Sequence, residues 1–326
     1  MVGAQHAERD VARQRLAVLV PCFNEEAAIA QVVKDFRAAL PQATVYVYDN
    51  NSTDGTVEAA RAAGAVVRRE RHQGKGNVVR RMFSDIEADV YVLVDGDATY
   101  HASSAPAMIA RLLEDQLDMV VAARVHDDAA AYRAGHVTGN RLLTGFVDTV
   151  FGAAFSDILS GYRVFSRRFV KSFPVLSGGF EIETELTVHA LELELPVAEI
   201  PTPYYARLEG SESKLSTWGD GFRILNTILR LYRSERPMAF FTSIGIALGA
   251  ISIGLAIPIV ITFVEYGVVP RLPTAILAMG LMLAAYVSIA AGLILDTVTR
   301  GRREVKLLAY LEQRAPGEDR DRRERG

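Results

Sequence analysis

Two long stretches without a charged side chain constrain this chain more than any other feature. Residues 238–264 form a run of 27 with no Asp, Glu, Lys or Arg, roughly 40 Å long as a helix at about 1.5 Å per residue. Residues 272–295 form a second such run. A hydrocarbon core is about 30 Å thick, so either run can span it, with tilt to spare. Glu265, Tyr266, Gly267, Pro270 and Arg271 make a short polar break between them, suited to a helical hairpin. Pro258 falls inside the first run, where neighbouring helices tolerate it. The competing reading, two buried helices of a soluble core, is the weaker one, because soluble helices rarely run this long without charge.

Elsewhere the chain is ordinary. It has 326 residues, 36 basic and 39 acidic, a net charge of -3 and half its residues apolar. That balance excludes a disordered chain, and a near-neutral charge speaks against nucleic acid as a partner. A single cysteine, Cys22, excludes an intramolecular disulfide and any cysteine cage for zinc. The positive mean hydropathy of +0.14 is high for so charged a chain, and the two runs account for it.

Charge at the flanks sets the expected orientation. Arg223, Arg230, Arg233 and Arg236 precede the first run, and Arg300, Arg302, Arg303 and Lys306 follow the second, whereas the connection holds only Arg271. The positive-inside bias then puts both ends, and the large N-terminal part, on the cytoplasmic side of a plasma or inner membrane. The first 15 residues contain no apolar core of a signal peptide. Between 216 and 232, Phe222, Leu225, Ile228, Leu229 and Tyr232 recur at helical spacing. They predict an amphipathic helix, lying either along the membrane surface or on the soluble part. The expected organisation is an N-terminal extension (1–14), a soluble domain (15–215), a juxtamembrane helix (216–236), two membrane helices within 237–298 (238–264 and 272–297) and a charged tail (299–326).

Within 15–124 the pattern alternates. Apolar runs at 16–20, 44–48, 65–67, 90–94 and 119–123 read as strands, and 27–40, 56–63, 77–86 and 106–115 read as helices. Apolar strands separated by helices indicate an α/β fold with a mostly parallel sheet covered on both faces. Such sheets bind ligands beyond the C-terminal strand ends. Three polar clusters stand there: Asn24-Glu25-Glu26, Asp49-Asn50-Asn51 and Asp95-Gly96-Asp97. Gly74-Lys75-Gly76 opens like a dinucleotide fingerprint but lacks its third glycine and follows the third strand. GxxxxGK[ST], GxSxG and HExxH are absent, which removes the main support for P-loop ATPases, serine hydrolases and zinc proteases. Two carboxylates two residues apart, after the apolar strand Tyr91-Val92-Leu93-Val94, suit a hard cation such as Mg²⁺ or Mn²⁺ bridging protein and phosphate.

In order and spacing, VPCFNEE (20–26), YDNNSTDGT (48–56), GKGN (74–77) and VDGD (94–97) resemble family 2 glycosyltransferases of the GT-A fold. With the hairpin, the chain most resembles the polyprenyl-phosphate glycosyltransferases, the dolichol-phosphate mannose synthase and GtrB-like group. The resemblance covers roughly 15–215 and implies a GT-A catalytic domain followed by a two-helix C-terminal transmembrane hairpin.

The resemblance implies roles as well. Pro21, Phe23, Asn24 and Glu26 would wrap the nucleotide, with Glu25 or Glu26 near the ribose; Glu26 alternatively serves as an N-terminal helix carboxylate. Asp49 would meet the base, or cap the turn with Asn51 and Asp54. Lys75 would contact the nucleotide, or stand on the surface. Cys22 reads as a small buried filler. Asp95 and Asp97 would hold Mg²⁺ or Mn²⁺ on the diphosphate. Thr99 stands where relatives commonly carry glutamine, so a third protein ligand is not evident, and His101 reads as a surface residue.

Asp157 to Arg163 (DILSGYR) resembles the D-x-x-S-G-F-R segment of the group. It assigns Asp157 to the acceptor or to positioning, and Arg163 to the catalytic set. Arg124, Arg141, Arg207 and Lys214 are the expected cations for the acceptor phosphate, the last two in YARLEGSESKL; Glu209 and Glu212 offer them ion pairs instead. Glu183 could meet sugar hydroxyls or begin a helix.

The expected activity is metal-dependent, inverting transfer of one sugar from a UDP- or GDP-linked donor to an undecaprenyl or dolichyl phosphate. Two alternatives remain open at this point. One is a glycosyltransferase acting on a lipid-linked saccharide or growing glycan, though the Q-x-x-R-W motif of processive enzymes is absent. The other is an inactive transferase-like membrane scaffold. Membrane lipid is an expected partner, and a homo-oligomer, a tetramer among the options, is the expected assembly.

Overall fold

The computed structural model describes residues 14–125, 145, 155–176, 178–179, 181–205, 229–230 and 232–317. Two compact units emerge. The first comprises Met1–Gly221 with Lys306–Gly326, and the second Phe222–Val305.

The first unit is built on a seven-stranded sheet in the order β3-β2-β1-β4-β6-β5-β7. Its strands are β1 (Leu16–Cys22), β2 (Thr44–Asp49), β3 (Val66–Arg69), β4 (Val90–Leu93), β5 (Met119–Val125), β6 (Arg163–Ser166) and β7 (Val197–Pro203). The helices between them are α1 (Glu26–Ala39), α2 (Thr56–Ala62), α3 (Lys75–Asp85), α4 (Ala105–Glu114), α5 (Arg167–Ser172) and α6 (Ile182–Glu192). Every residue of β1 and β4 is buried, as central strands covered by helices on both faces require. Helix α1 turns Ala28, Ile29, Val32, Val33 and Phe36 inward at helical spacing. Strand β3 is the sheet edge and carries Arg68 and Arg69 on an exposed run, charges that discourage pairing with another chain.

The expected alternation from β1 to β5 is present, with boundaries shifted by one or two residues. The sheet is mostly parallel, as expected, with one reversal: β6 runs antiparallel to both β4 and β5. Strands β1, β2, β3, β4, β5 and β7 therefore end on one edge, and β6 starts there.

The second unit contains α7 (Pro237–Tyr266) and the apolar part of α8 (Leu272–Leu311). Both are long and apolar enough to cross a membrane, and only 11% and 17% of their most apolar windows are buried. Core helices of a soluble protein would be mostly covered, whereas these are largely exposed. The helices pack antiparallel through small residues seven apart: Gly245 and Ser252 on α7, Ala278, Ala285 and Gly292 on α8. A Cβ on Gly245 would lie 3.0 Å from the Ala285 carbonyl oxygen, and the Ser252 hydroxyl donates to the Ala278 carbonyl at 2.6 Å. Close backbone approach and interhelical hydrogen bonds are how helices associate in lipid. Gly267, at φ 70, ends α7 in the left-handed region, its N–H donating to the Phe263 carbonyl at 2.8 Å.

The tail expected from residue 299 begins as helix, since α8 continues to Leu311. From Lys306 onward this segment belongs to the first unit. Lys306 pairs with Glu192 at 2.6 Å, and the Tyr310 hydroxyl donates to Asp118 at 2.8 Å. Asp118, fully buried, also accepts from Ser166 and Arg168, each at 2.6 Å.

Beside this clamp, His189 is buried among Phe169 and Phe173. Burial, reinforced by Lys306, pulls its imidazole down to about 3. The unfolded chain takes up that proton near pH 6.5 and the native state does not, so stability falls below pH 6.5 by about 1.4 kcal/mol per pH unit until the folded value is reached. His189→Gln removes the titration. Chemical denaturation at pH 7 and pH 5 should show the wild type losing about 2 kcal/mol more than the variant on acidification; equal losses would contradict the assignment.

Candidate active site

The site is assembled on the edge where the parallel strands end. The loops after β1 and β2 are stitched together first. Asn24, at φ 53, donates its N–H to Ser52 at 2.9 Å and accepts from the Thr53 N–H at 2.8 Å. The Glu25 N–H donates to Thr56 at 2.9 Å and the Glu26 N–H to Asp54 at 3.2 Å. The Glu26 carboxylate accepts the Gly55 N–H at 3.0 Å, just before α2. A Cβ at Gly55 would stand 2.4 Å from it. Glu26, in the first turn of α1, thereby ties the N-terminus of α2 to the loop after β1.

Asp49 is almost fully buried. It accepts the Ser52 N–H at 3.1 Å and faces Arg69 at 4.0 Å, on a cleft that Arg68 and Arg69 also line. Asn50, which no motif singled out for a task, holds the next loop. Its amide donates to the Glu70 and His72 carbonyls and its oxygen accepts the Gly74 N–H at 2.7 Å. Asn51, at φ 68, donates to the Arg71 carbonyl at 3.0 Å, so its side chain supports that loop. Gly74 has φ +125, and a Cβ there would lie 2.0 Å from the Gly178 carbonyl. Only glycine fits.

That loop delivers Lys75, the first residue of α3, to the centre of the site. Its ammonium bonds Asp95 at 2.5 Å and also Glu183, from the first turn of α6. Burial works against the charge, but the two carboxylates outweigh it and hold the ammonium firmly protonated. Lys75 is therefore a buried bridge, not a surface lysine, and Glu183 is buried at its side. Asp97 is buried too and accepts from the Thr99 hydroxyl at 2.7 Å. Thr99 thus orients Asp97. Gly96 leaves room for Cys22, whose sulfur a Cβ would meet at 2.5 Å; Cys22 is the buried filler expected. His101 is exposed beside Tyr205.

The donor set fits a hard divalent cation. Asp95 and Asp97 offer carboxylate oxygens, and the absence of a side chain at Gly161 keeps space at Asp95, where a Cβ would lie 2.3 Å from Oδ2. Among the described residues no group of three His, Cys, Asp or Glu could hold a metal. The remaining coordination would fall to phosphate oxygens and water, as Mg²⁺ commonly arranges it.

Because β6 is antiparallel, the 155–162 loop arrives on this same edge. Asp157 lies in it, and Arg124, near the end of β5, grips its carboxylate with Nε at 2.6 Å and Nη2 at 2.7 Å. Burial opposes ionisation of Asp157, but the Arg124 guanidinium prevails and holds the carboxyl below the usual carboxylate range. Asp157 and Arg124, expected as separate groups, form one unit. Arg163 corrects the expectation that it acts on substrate. It is fully buried, donates to the Ile158 and Ser160 carbonyls at 2.6 and 2.9 Å and to Thr187 at 2.9 Å. Burial lowers its guanidinium to about 10; it shapes the loop from beneath. Arg141, Arg207, Lys214 and most of the expected juxtamembrane helix lie outside the described residues.

The family model for glycosyl transferase family 2 matches residues 17–173. Glycosyltransferase AglJ of Haloferax volcanii is 38% identical over 245 residues, covering 74% of this chain and 80% of its own length. A dolichyl-phosphate hexose transferase of the same organism is 28% identical, covering 68% of this chain and 95% of its own. Among solved structures, glucosyl-3-phosphoglycerate synthase of Mycobacterium tuberculosis in complex with Mn²⁺, UDP and glucosyl-3-phosphoglycerate superposes with a TM-score of 0.57 at 22% identity, over 69% of this chain and 82% of that one. The fold is that of GT-A glycosyltransferases.

The Asp157–Arg124 pair makes a direct prediction. Arg124→Ala takes the guanidinium from a nearly buried carboxylate, leaving the residue-124 N–H on it, and should cost about 3 kcal/mol of stability at pH 7. The deficit should shrink as pH falls through the carboxylate range, since a protonated Asp157 needs no cation. Thermal denaturation of both forms at pH 7 and pH 4 checks the sign.

Proposed function

This chain belongs to glycosyl transferase family 2, and we propose that it transfers a single sugar from a UDP- or GDP-linked donor to a polyprenyl phosphate at the cytoplasmic face of a membrane. One observation carries the reading. A GT-A catalytic unit with a partly exposed Asp95 and a buried Asp97 at a central strand end shares its chain with two apolar helices whose most apolar stretches are largely exposed. A lipid acceptor of very low water solubility needs that pairing. The relative named for dolichyl phosphate and hexose supports it.

The acceptor phosphate oxygen attacks the anomeric carbon as the bond to the departing nucleoside diphosphate breaks, and configuration inverts. Asp95 and Asp97 would hold Mg²⁺ or Mn²⁺, which supplies charge neutralisation on the diphosphate; the Mn²⁺–UDP complex of the structural neighbour supports a metal here. Lys75, already fully charged and held between Asp95 and Glu183, stands ready to add a second positive contact, beside the cation, to the same leaving group. A phosphate monoester is largely ionised near neutral pH, with a second pKa of about 6, so no strong base is demanded. Asp157, kept ionised with both oxygens on Arg124, serves by position, orienting acceptor or sugar, and not by taking a proton. The basic residues flanking the helices favour the cytoplasmic side.

Incubation of the full-length protein with radiolabelled nucleotide sugars and undecaprenyl phosphate should move label into solvent-extractable lipid. Excess EDTA, or Asp97→Asn, should reduce that transfer by on the order of 100-fold or more. Label accumulating in water-soluble polymer would instead identify a glycan acceptor, and undiminished transfer in EDTA would overturn the metal assignment.

A further inference from the structure

The loop that presents Asp157 is closed by a carboxylate that no motif marks. Glu199 is the third residue of β7 and stands in register with Val121 of β5. Its two oxygens accept the Ser156 N–H at 3.1 and 2.9 Å, the Ser156 hydroxyl at 2.8 Å and the Asp157 N–H at 3.2 Å. Strand β5 carries Arg124 three positions beyond Val121, and Arg124 holds the Asp157 side chain. Asp157 is thus gripped twice, by its main chain from β7 and by its carboxylate from β5. Seven consecutive paired positions, from Met119↔Val197 to Val125↔Pro203, fix the two strands against each other. Arg163 holds the Ile158 and Ser160 carbonyls of the same loop, and Glu199 holds the Ser156 and Asp157 N–H groups.

A neutral side chain could accept these hydrogen bonds without placing a second negative charge beside Asp157. The carboxylate makes charge-assisted bonds roughly twice as strong as neutral ones, and thus a stiffer seat. We propose that Glu199 is a positioning residue for sugar transfer, setting through Ser156 and the Asp157 main chain where the Asp157 carboxylate stands. The inference rests on the role given above to Asp157. A displacement of about 1 Å at such a group costs up to 100-fold in rate, while nucleotide contacts on the β1 and β2 loops are left alone.

A double-mutant cycle tests it, with full-length wild type, Glu199→Ala, Asp157→Asn and the double variant assayed for label transfer to undecaprenyl phosphate. Glu199→Ala should lower kcat about 10- to 100-fold, with the donor KM and UDP or GDP binding within about twofold of wild type. In the Asp157→Asn background the same change should cost less than about threefold, because the group it positions is already disabled. Glu199→Gln, which keeps one acceptor oxygen but loses the charge, should give a kcat between those of wild type and Glu199→Ala, again only in the background with Asp157 intact. It carries the cycle if Glu199→Ala does not fold. Equal factors in both backgrounds, or a fall in nucleotide binding that tracks the fall in kcat, would overturn the proposal. A wild type that puts no label into lipid is a separate result, seen before any variant, and overturns the acceptor reading together with this one.

Discussion

The site depends on the direction of one short strand. β6 runs against β4 and β5, so the chain reaches it from the edge where the parallel strands finish. Had β6 been parallel, the 155–162 loop would emerge on the opposite edge, away from Asp95 and Arg124. The register Leu93↔Arg163 seats the start of β6 beside the end of β4. Gly161 can then lie against the Asp95 carboxylate, where any side chain would collide. The parallel strands carry the residues assigned above to the nucleotide, and one reversal brings in those assigned to transfer.

Charge buried around that junction is paired in nearly every direction. Lys75 answers Asp95 and Glu183; Arg124 answers Asp157; Arg163 spreads its charge over two carbonyls and a threonine. Desolvating such groups costs several kcal/mol each unless partners compensate, so the network is a reason for rigidity more than a source of net stability. Lys75 occupies one of the two carboxylates that fit a cation. On the function proposed above, a donor diphosphate would offer the lysine a competing anion and free Asp95 for a cation, so the bridge is compatible with metal and donor together.

Legibility in the sequence followed the range of the interactions. The alternation from Leu16 to Val125 is local, and its periodicity and strand-end clusters were readable. The hairpin was readable because composition alone carries it. Strands β6 and β7 were not, since each is short and its place follows from pairing with residues tens of positions away. The roles within the motifs divide in the same manner. Asn24, Glu26 and Asn51 lie in segments that point to a nucleotide, yet their side chains tie one loop to another. Arg163 lies in a transferase-like segment, yet its guanidinium is fully buried and donates to two carbonyls, a hydroxyl and the Met119 sulfur. A motif records that a residue type is needed; it does not separate a group that touches substrate from one that holds the group that does. Glu199 offers no local signal at all, because its partners sit 42 and 43 residues earlier.

The same distinction governs the C-terminal segment. Its charges read as a solvated tail after a membrane span, and by composition nothing separates Lys306 from Arg302 or Arg303. In the structure α8 is one continuous helix whose apolar length belongs to the hairpin and whose last turns belong to the catalytic unit. Tyr310 supplies the reason. Its hydroxyl reaches a fully buried aspartate, and its ring lies under Arg168, 4.9 Å from the guanidinium carbon. Asp118 in turn bonds Ser166 at the end of β6 and immediately precedes β5, the two strands that deliver the Asp157 loop and its arginine. An exposed tail would not place an aromatic hydroxyl on a buried carboxylate at the root of those strands. The helix that follows the second span is thus better understood as part of the catalytic fold than as an appendage to it.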